Sequence, residues 1–477
     1  MTRPAPSAGH APDRHHPPVD PRRWAALTVI CVAQFMLILD VTVVNVALPD
    51  MASDLHLDRA ALTWTVTAYT LCFGGLMLLG GRLADALGAR RTLLAGLALF
   101  TAASLVTGLA DSAAMLLGGR IAQGVGAALL SPAALSIVTT TFHGAERNKA
   151  LGVWAAVGGS GAAAGVLIGG ALTDGPGWQW VFYINVPIGL AVLAVLPALV
   201  PARAPQPVRL DVPGALLVTA GTGSLIYGLV KTGDAGWGGT ATLVPLAAAV
   251  VLYAGFGVAE RASRAPLMDL RMFTRRPVLA GAFLMLVATG LLIAYFFLGS
   301  VHLQHVRGFS PLKTGLLFLP VAVATGVGAH LGSRLVGRVG SRAVAVTGMV
   351  IAAAGSVPLT RVSAAGSAYT GLLPGFVVAC LGLGAVFVTA TTTALGMVDR
   401  HEAGLASGVV NTFHEVGGSI GVAVVSTIAA SGIDSGSAGG FRDAFTACTV
   451  AAAASAAVSL GLVPRGRPQL TGGPHVH

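Results

Sequence analysis

The chain has 477 residues, of which 54% are hydrophobic and only 10% charged, and its mean hydropathy is +0.78. Soluble domains carry about 25% charged residues, so a water-soluble globule of this size is excluded and a bilayer must supply the apolar solvent. The net charge of +10 would suit nucleic acid in a soluble protein, but here the basic residues fall between apolar runs and read as topogenic, so no nucleic-acid partner is implied.

Residues 1–23 are rich in Pro, His and Arg and lack an apolar h-region, which reads as a disordered cytoplasmic tail rather than a cleaved signal peptide. His10, His15 and His16 lie in it and are not expected to hold a metal. Fourteen apolar runs follow, at 24–49, 61–80, 92–110, 113–139, 150–172, 181–200, 212–230, 241–259, 278–300, 313–332, 343–360, 368–395, 407–429 and 442–463. A transmembrane helix needs about 20 apolar residues, whereas porin-type strands alternate over about 10. The runs therefore predict an all-α polytopic membrane protein. A second polar tail begins at Pro464. Cys31, Cys72, Cys380 and Cys448 all lie inside runs without metal-ligand spacing and read as small buried hydrophobes. The bias to Arg, Ala and Gly over Lys points to a GC-rich genome.

An even number of runs puts both termini on one side. Loops and tails on that side hold 22 Arg and Lys residues, against 6 on the other, so both termini are expected in the cytoplasm. The halves also repeat. Gly80, Leu83, Gly88 and Arg90 recur 252 residues later as Gly332, Leu335, Gly340 and Arg342. Glu146, Ala150, Gly152, Gly161 and Gly165 recur 256 residues later as Glu402, Ala406, Gly408, Gly417 and Gly421. The expected organisation is a six-helix bundle at 24–200, a linker with two additional helices at 201–277, and a second six-helix bundle at 278–463. A parallel repeat of this kind is the plan of transporters that rock two bundles around a midplane site.

Five stretches carry specific patterns. Run two ends in Gly81-Arg82-Leu83-Ala84-Asp85-Ala86-Leu87-Gly88-Ala89-Arg90-Arg91, where glycine permits a tight turn between helices. Asp85 can form a charge cluster with Arg82, Arg90 and Arg91 or cap a neighbouring helix N-terminus; the alternative is an ordinary basic loop. Run one contains Leu39-Asp40-Val41-Thr42-Val43-Val44-Asn45-Val46-Ala47-Leu48-Pro49 and run four Arg120-Ile121-Ala122-Gln123-Gly124-Val125-Gly126. Run five contains Gly161-Ala162-Ala163-Ala164-Gly165-Val166-Leu167-Ile168-Gly169-Gly170, and run six opens with Trp178-Gln179-Trp180-Val181-Phe182-Tyr183-Ile184-Asn185-Val186-Pro187.

The loop resembles the signature loop of the major facilitator superfamily, and run four resembles that superfamily's fourth-helix motif. The other three stretches resemble helix motifs of its fourteen-span drug:proton antiporters. The resemblance runs from about Trp24 to Arg465. It implies a multi-pass protein of the bacterial cytoplasmic membrane that expels small organic molecules, drugs or antibiotics, in exchange for protons by alternating access. The proton gradient is then the energy source, with no cofactor and no obligate protein partner. Three positions depart from the pattern: Val166 stands where relatives carry Pro, Gln179 where they carry Arg, and Gly337 at the Asp position of the second signature loop. The glycines Gly161, Gly165, Gly169 and Gly170 remain, and they are what let two helices pack closely. Val166 keeps alive the alternative of a proton-coupled uptake symporter or facilitator with the same fold.

Charge within the runs is the sharpest direct signal. An intramembrane ion costs at least about 2.5–3.5 kcal/mol, so it marks function by default. Asp40, Arg120 and Glu415 lie well inside runs, and His414 joins them. Asp40 can bind a proton or a cationic substrate group, or be held by hydrogen bonds to neighbouring helices. Arg120 needs an acceptor at membrane depth; the resemblance places it towards a central cavity with a part in proton coupling. Ser407, Asn411, His414, Gly418 and Gly421 share a helix face, and Glu415 borders it. A buried carboxyl beside an imidazole suits proton exchange near neutral pH; a polar contact between the halves is the alternative. Asn45 points away from Asp40 and reads as a packing residue.

Phe35, Trp64, Tyr69, Tyr295 and Phe296 are candidate cavity aromatics, although ordinary packing accounts for such residues more often. Trp178, Trp180 and Trp237 suit an interfacial belt, and Pro132, Pro320 and Pro374 sit where they can kink helices. There is no P-loop, HExxH, CxxC or nucleophile elbow, so neither an enzyme nor ATP-driven transport is expected. A membrane sensor without flux is disfavoured by the short loops.

Overall fold

The computed structural model describes residues 22–142, 144–201, 211–263, 266–267, 270–363, 367–395 and 403–465. Both polar tails, apart from their innermost residues, and His10, His15 and His16 with them, lie outside the described residues, as do Glu402 and most of the 201–211 segment.

Each apolar run forms a helix. In chain order these are α1 (Arg23–Asp54), α2 (Arg59–Leu87), α3 (Ala89–Gly108), α4 (Ala113–Thr141) and α5 (Gly144–Asp174). Next come α6 (Trp180–Leu199), α7 (Val212–Ala235), α8 (Thr240–Ala262), α9 (Arg276–Val301) and α10 (Pro311–Val339). The last four are α11 (Ser341–Ser356), α12 (Leu373–Leu395), α13 (Ala403–Ile428) and α14 (Ala438–Leu462). No strand occurs among the described residues. Twelve helices are long and apolar enough to cross a membrane; α5 and α13, where some side chains are not described, are helices of 31 and 26 residues. Many helices outrun their apolar stretch, because a helix that has satisfied its backbone in the bilayer gains nothing by unwinding at the headgroups.

Local chemistry sets the ends. Asp58 Oδ1 accepts from the Ala61 N–H at 2.7 Å to start α2, and Asp211 does the same for Gly214 at 2.8 Å to start α7. Ser310 caps α10, which carries Pro311 at its first position, where the missing N–H costs nothing. Gly88 ends α2 at φ +93° and Gly340 ends α10 at φ +87°, so the two signature loops turn through the same left-handed conformation. Pro132 and Pro320 lie inside α4 and α10. Pro374, expected to kink a helix, instead starts one: it is the second residue of α12, after the short turn Ala368–Gly371.

The helices pair in two matching sets. In the first, α1 packs on α5 and α6, α4 on α2 and α3, and α3 on α6. In the second, α9 packs on α13 and α14, α12 on α10 and α11, and α11 on α14, which is the same pattern. Between the sets α2 meets α13, α5 meets α10 and α1 meets α9. Exchanging the sets maps these three seams onto one another. Helices α7 and α8 pack on each other, and α7 also touches α2 and α13. The outward face of α8 is apolar and open, with Val244, Val250, Val251 and Val258 each at least 65% exposed, as a lipid-facing helix requires.

The helix ends that flank the two termini form the terminal end of the molecule; the opposite end is the far end. One apolar cluster joins both sets towards the far end, combining Leu39, Val43, Ala47 and Val166 with Leu291, Leu298, Leu303 and Phe318. Another belongs to the first set alone and includes Leu27, Phe73, Leu97, Ala134 and Leu196.

Glycine makes the closest crossings. A Cβ on Gly80 would lie 1.9 Å from the Ala128 carbonyl oxygen, whereas one on Gly81 would rest 3.8 Å from Pro132 Cβ. Gly80→Ala is therefore expected to destabilise the protein by about 1–3 kcal/mol through backbone displacement, with Gly81→Ala near neutral. Thermal unfolding of the two purified variants checks this, and equal midpoints would refute it.

Candidate functional site

The first group of candidates forms a closed polar knot inside the first set. Asp40 on α1 is 0% exposed and Arg120 on α4 only 1%. Arg120 Nη1 donates to Asp40 Oδ2 at 2.5 Å and to Gln123 Oε1 at 3.0 Å, while its Nε donates to the Thr65 carbonyl of α2 at 2.9 Å. Gln123 Nε2 and Asn185 Nδ2 each donate to Asp40 Oδ1 at 3.2 Å, and Gln123 Nε2 also reaches Ser104 Oγ at 2.8 Å. The Arg120 guanidinium lies 4.3 Å from the centroid of the Tyr69 ring, a cation–π contact that the low dielectric strengthens. Five helices, α1, α2, α3, α4 and α6, thus converge on one neutral ion pair.

Gly124 permits this convergence. A Cβ there would lie 2.5 Å from the Tyr69 carbonyl oxygen, so α4 can approach α2 only with glycine at that position. Asn45 turns back along its own helix and donates to the Val41 carbonyl at 2.7 Å. Pro49 sits inside α1, four residues further on, and cannot donate to the Asn45 carbonyl. The next carbonyl, Val46, accepts Gln304 Nε2 from beyond α9 at 2.7 Å, which ties the two sets together at the far end.

Glu415 and His414 are consecutive on α13 but point to different places. His414 Nδ1 pairs with Thr289 Oγ1 at 2.9 Å, with the Phe387 ring 5.8 Å away, inside the second set. Glu415 faces the seam with α2: a Cβ on Gly74 would lie 2.5 Å from Glu415 Cβ. The same seam is zipped by Thr70 and Ser419, and by Thr63 and Ser426, each hydroxyl pair 2.5 Å apart. Among the described residues the Glu415 carboxyl has neither a hydrogen bond nor an ion pair, although the side chain is partly buried. The expected pairing of carboxyl with imidazole is not formed, because successive helix residues diverge by about 100°.

The run-five glycines meet α1 and α10. Cβ atoms on Gly165 and Gly169 would strike Thr42 Oγ1 at 1.8 Å and Val43 Cα at 2.9 Å, and one on Gly161 would touch Ile38 Cγ2 at 3.0 Å. Gly170 faces α10 instead, where its Cβ would lie 2.8 Å from the Pro311 carbonyl oxygen. Val166 is fully buried, and its carbonyl oxygen sits 2.5 Å from where a Cβ on Gly315 would stand.

The signature loop does not form the expected charge cluster. Among the described residues Asp85 is exposed and makes no ion pair, and Arg82 turns away to donate to the Pro266 carbonyl at 2.9 Å. No side chain caps α3; Gly88 turns the chain, and Arg90 and Arg91 stand in its first turn. Trp178 is buried at a span end, and its Nε1 donates to Asp54 Oδ2 at 2.8 Å, whereas Trp180 and Trp237 are exposed. Tyr69, Tyr295 and Phe296 are packed in the interior. The sequence alone assigns no role to Asn185, Ser104 or the Thr65 carbonyl. Asn185 falls within the run-six motif; Ser104 and Thr65 carry no local signal at all.

The profile of the Major Facilitator Superfamily matches residues 30–422. The chain belongs to this superfamily. The chain is 42% identical to the puromycin resistance protein pur8 of Streptomyces alboniger, over 86% of its own length and 82% of the relative's. It is 38% identical to the cephamycin export protein CmcT of Amycolatopsis lactamdurans, over 89% of each. Its fold is that of a bacterial homologue of the lysosomal transporter Spinster, solved inward-facing and unoccupied, at a TM-score of 0.64 and 17% identity. That match covers 93% of this chain and 98% of the other. The POT family transporter PepTSo gives a TM-score of 0.67 at 15% identity, covering 91% and 97%. The resemblance carried by the five motifs therefore holds, and this superfamily member is a transporter and not an enzyme. No group of three or more His, Cys, Asp or Glu residues suited to a metal occurs among the described residues.

Proposed function

We propose that this superfamily member is a proton-coupled exporter of small organic molecules, antibiotics among them, in the bacterial cytoplasmic membrane. Fourteen spans place both termini in the cytoplasm, in two six-helix bundles with α7 and α8 inserted between them. The relatives named for puromycin resistance and cephamycin export support the direction and the class of cargo.

The observation that carries the coupling is the contrast between two carboxyls. Asp40 is neutralised by Arg120 and sealed from solvent, whereas Glu415 is partly buried on an inter-bundle seam with no side-chain partner among the described residues. A carboxyl without a fixed counter-charge is free to exchange its proton with water that enters the seam. Glu415 is thus the group that exchanges protons as the bundles rock, and Asp40 with Arg120 holds the first bundle in register. Cargo binds beside the deprotonated Glu415 from the cytoplasm, and protonation from outside releases it. No bond of the cargo changes.

Everted vesicles loaded with a pH-sensitive dye and given puromycin or a cephamycin test this. Dissipation of the pH gradient on adding the compound is expected. Movement of the compound down its own gradient with no proton flux would replace the exporter with a facilitator.

A further inference from the structure

The basic residues of the far end are partnered unevenly. Six Arg and Lys residues lie there: Arg59, Lys231, Arg307, Lys313, Arg361 and Arg442. Arg59 and Lys231, outside the second bundle, are both ion-paired with Asp234. Among the described residues none of the four in the second bundle has an ion pair. We propose that two of them, Arg307 and Arg361, hold the phosphate of an anionic phospholipid in a cavity at the far end of the second bundle. That this end meets the outer leaflet rests on the orientation proposed above, whereas binding and its test read the same whether or not any compound is pumped.

The cavity, of about 440 Å³, is built from three turns of the chain. Arg307 enters it just after the π-turn His302–Val306 that closes α9. Pro358 and Arg361 come from the turn that follows α11, and Thr370 from the short turn ahead of α12. The loop between these turns is pinned from two sides. Arg307 Nη1 donates to the Ser363 carbonyl at 3.0 Å, and Arg442 Nε donates to the Val362 carbonyl at 2.7 Å. The bond to Ser363 leaves the rest of the Arg307 fork for a ligand. Arg361 is exposed, and its side chain makes no hydrogen bond or ion pair among the described residues. Two guanidinium groups on one cavity suit a phosphodiester, whose unesterified oxygens accept paired N–H donors.

An apolar track leads from this cavity into the bilayer. Ala343, Val350 and Val357 are spaced by seven residues, so they share one face of α11, and all three are exposed. Val357 follows the last residue of α11 with helical dihedral angles, so it continues that lipid-facing stripe and is also a wall of the cavity. Tyr369, next to Thr370 in the chain, is 53% exposed and sets an amphipathic ring at the span end. A ligand that fills both parts has a phosphate at the arginines and an acyl chain along the stripe. Basic pockets at span ends take lipid headgroups on these terms. A free anion would leave the track unused.

Photocrosslinking from the rim of the cavity tests this. Tyr369→p-benzoylphenylalanine protein is reconstituted in liposomes of equal parts phosphatidylglycerol and phosphatidylcholine with the same acyl chains. After irradiation, the lipid adducts at residue 369 are counted by mass spectrometry. Each basic contact near a membrane surface is worth about a factor of five, so phosphatidylglycerol is expected to be enriched about twentyfold, and Arg361→Gln to cut that enrichment about fivefold. Arg361 is exposed, so its replacement leaves the core intact. Arg361→Lys keeps the charge and should retain most of the enrichment, and Arg338→Gln, exposed at the terminal end, should leave it unchanged. Adducts in the proportion of the mixture, or an enrichment that survives Arg361→Gln, would overturn the proposal. Excess inorganic phosphate at constant ionic strength should leave the enrichment in place. Its loss there would show that the site takes a soluble anion and would overturn the assignment to lipid.

Discussion

Arg120→Leu is expected to lose about 3–5 kcal/mol of folding stability, because it leaves the Asp40 carboxylate buried without a counter-charge. Asp40 is fully buried, so water cannot replace the guanidinium, and Gln123 and Asn185 supply neutral donors only. The double variant Asp40→Asn, Arg120→Gln removes both charges and should recover most of the loss, since a buried ion pair is close to neutral against a well-packed uncharged replacement. Reversible unfolding in mixed SDS micelles measures all three. A single variant as stable as the parent would show that the ion pair is not closed in the membrane. Asp40→Asn alone keeps hydrogen-bonding capacity but strands Arg120, so the protein should insert yet be less stable, while the folded fraction keeps proton-linked export through Glu415. Loss of proton-linked export by folded Asp40→Asn protein would put Asp40 in the cycle.

Glu415→Gln is expected to behave in the opposite way. Its carboxyl makes no hydrogen bond or ion pair among the described residues, so the amide breaks none, and the unfolding free energy should change by less than about 0.5 kcal/mol. Proton-linked export, by contrast, should fall to the background of empty vesicles, because an amide cannot carry the exchangeable proton. The decisive comparison is the pair of readouts on one preparation. Retained proton flux in Glu415→Gln would assign coupling elsewhere, and His414, held by Thr289 in the second bundle, would be the next residue to change.

Much of this architecture is legible in the residues themselves. The apolar runs are long and bounded by charges, so each helix can be placed to within a turn or two; α1 begins at Arg23, and its apolar run begins at Trp24. Repeated motifs carry the internal symmetry, since Gly88 and Gly340 must both turn through a conformation that favours glycine. The residues of the knot are partly legible. Asp40 and Arg120 stand out because a charge in an apolar run needs a reason, and Gln123 stands out by its motif. Ser104 is not legible, because a serine in an apolar helix is common and its meaning comes from what faces it. The partner of Trp178 is illegible for a related reason: local sequence shows an amphipathic ring near a span end, and only the fold brings Asp54 to its N–H.

Composition, run length, charge asymmetry and motifs by themselves determined that the chain is an all-α membrane protein, which superfamily it belongs to, and which titratable residues lie inside its apolar runs. These follow from the transfer cost of single residues and from short-range spacing, both written along the chain. Tertiary structure alone decided which of those residues are joined. It closed Asp40 onto Arg120 from helices 80 residues apart, turned Glu415 to the seam and His414 away from it, and laid α7 across one seam and not its counterpart. Such pairings depend on which helix faces meet, and that is set by close crossings such as Gly80 against Ala128 and Gly74 against Glu415, where the absence of a side chain fixes the approach of two backbones.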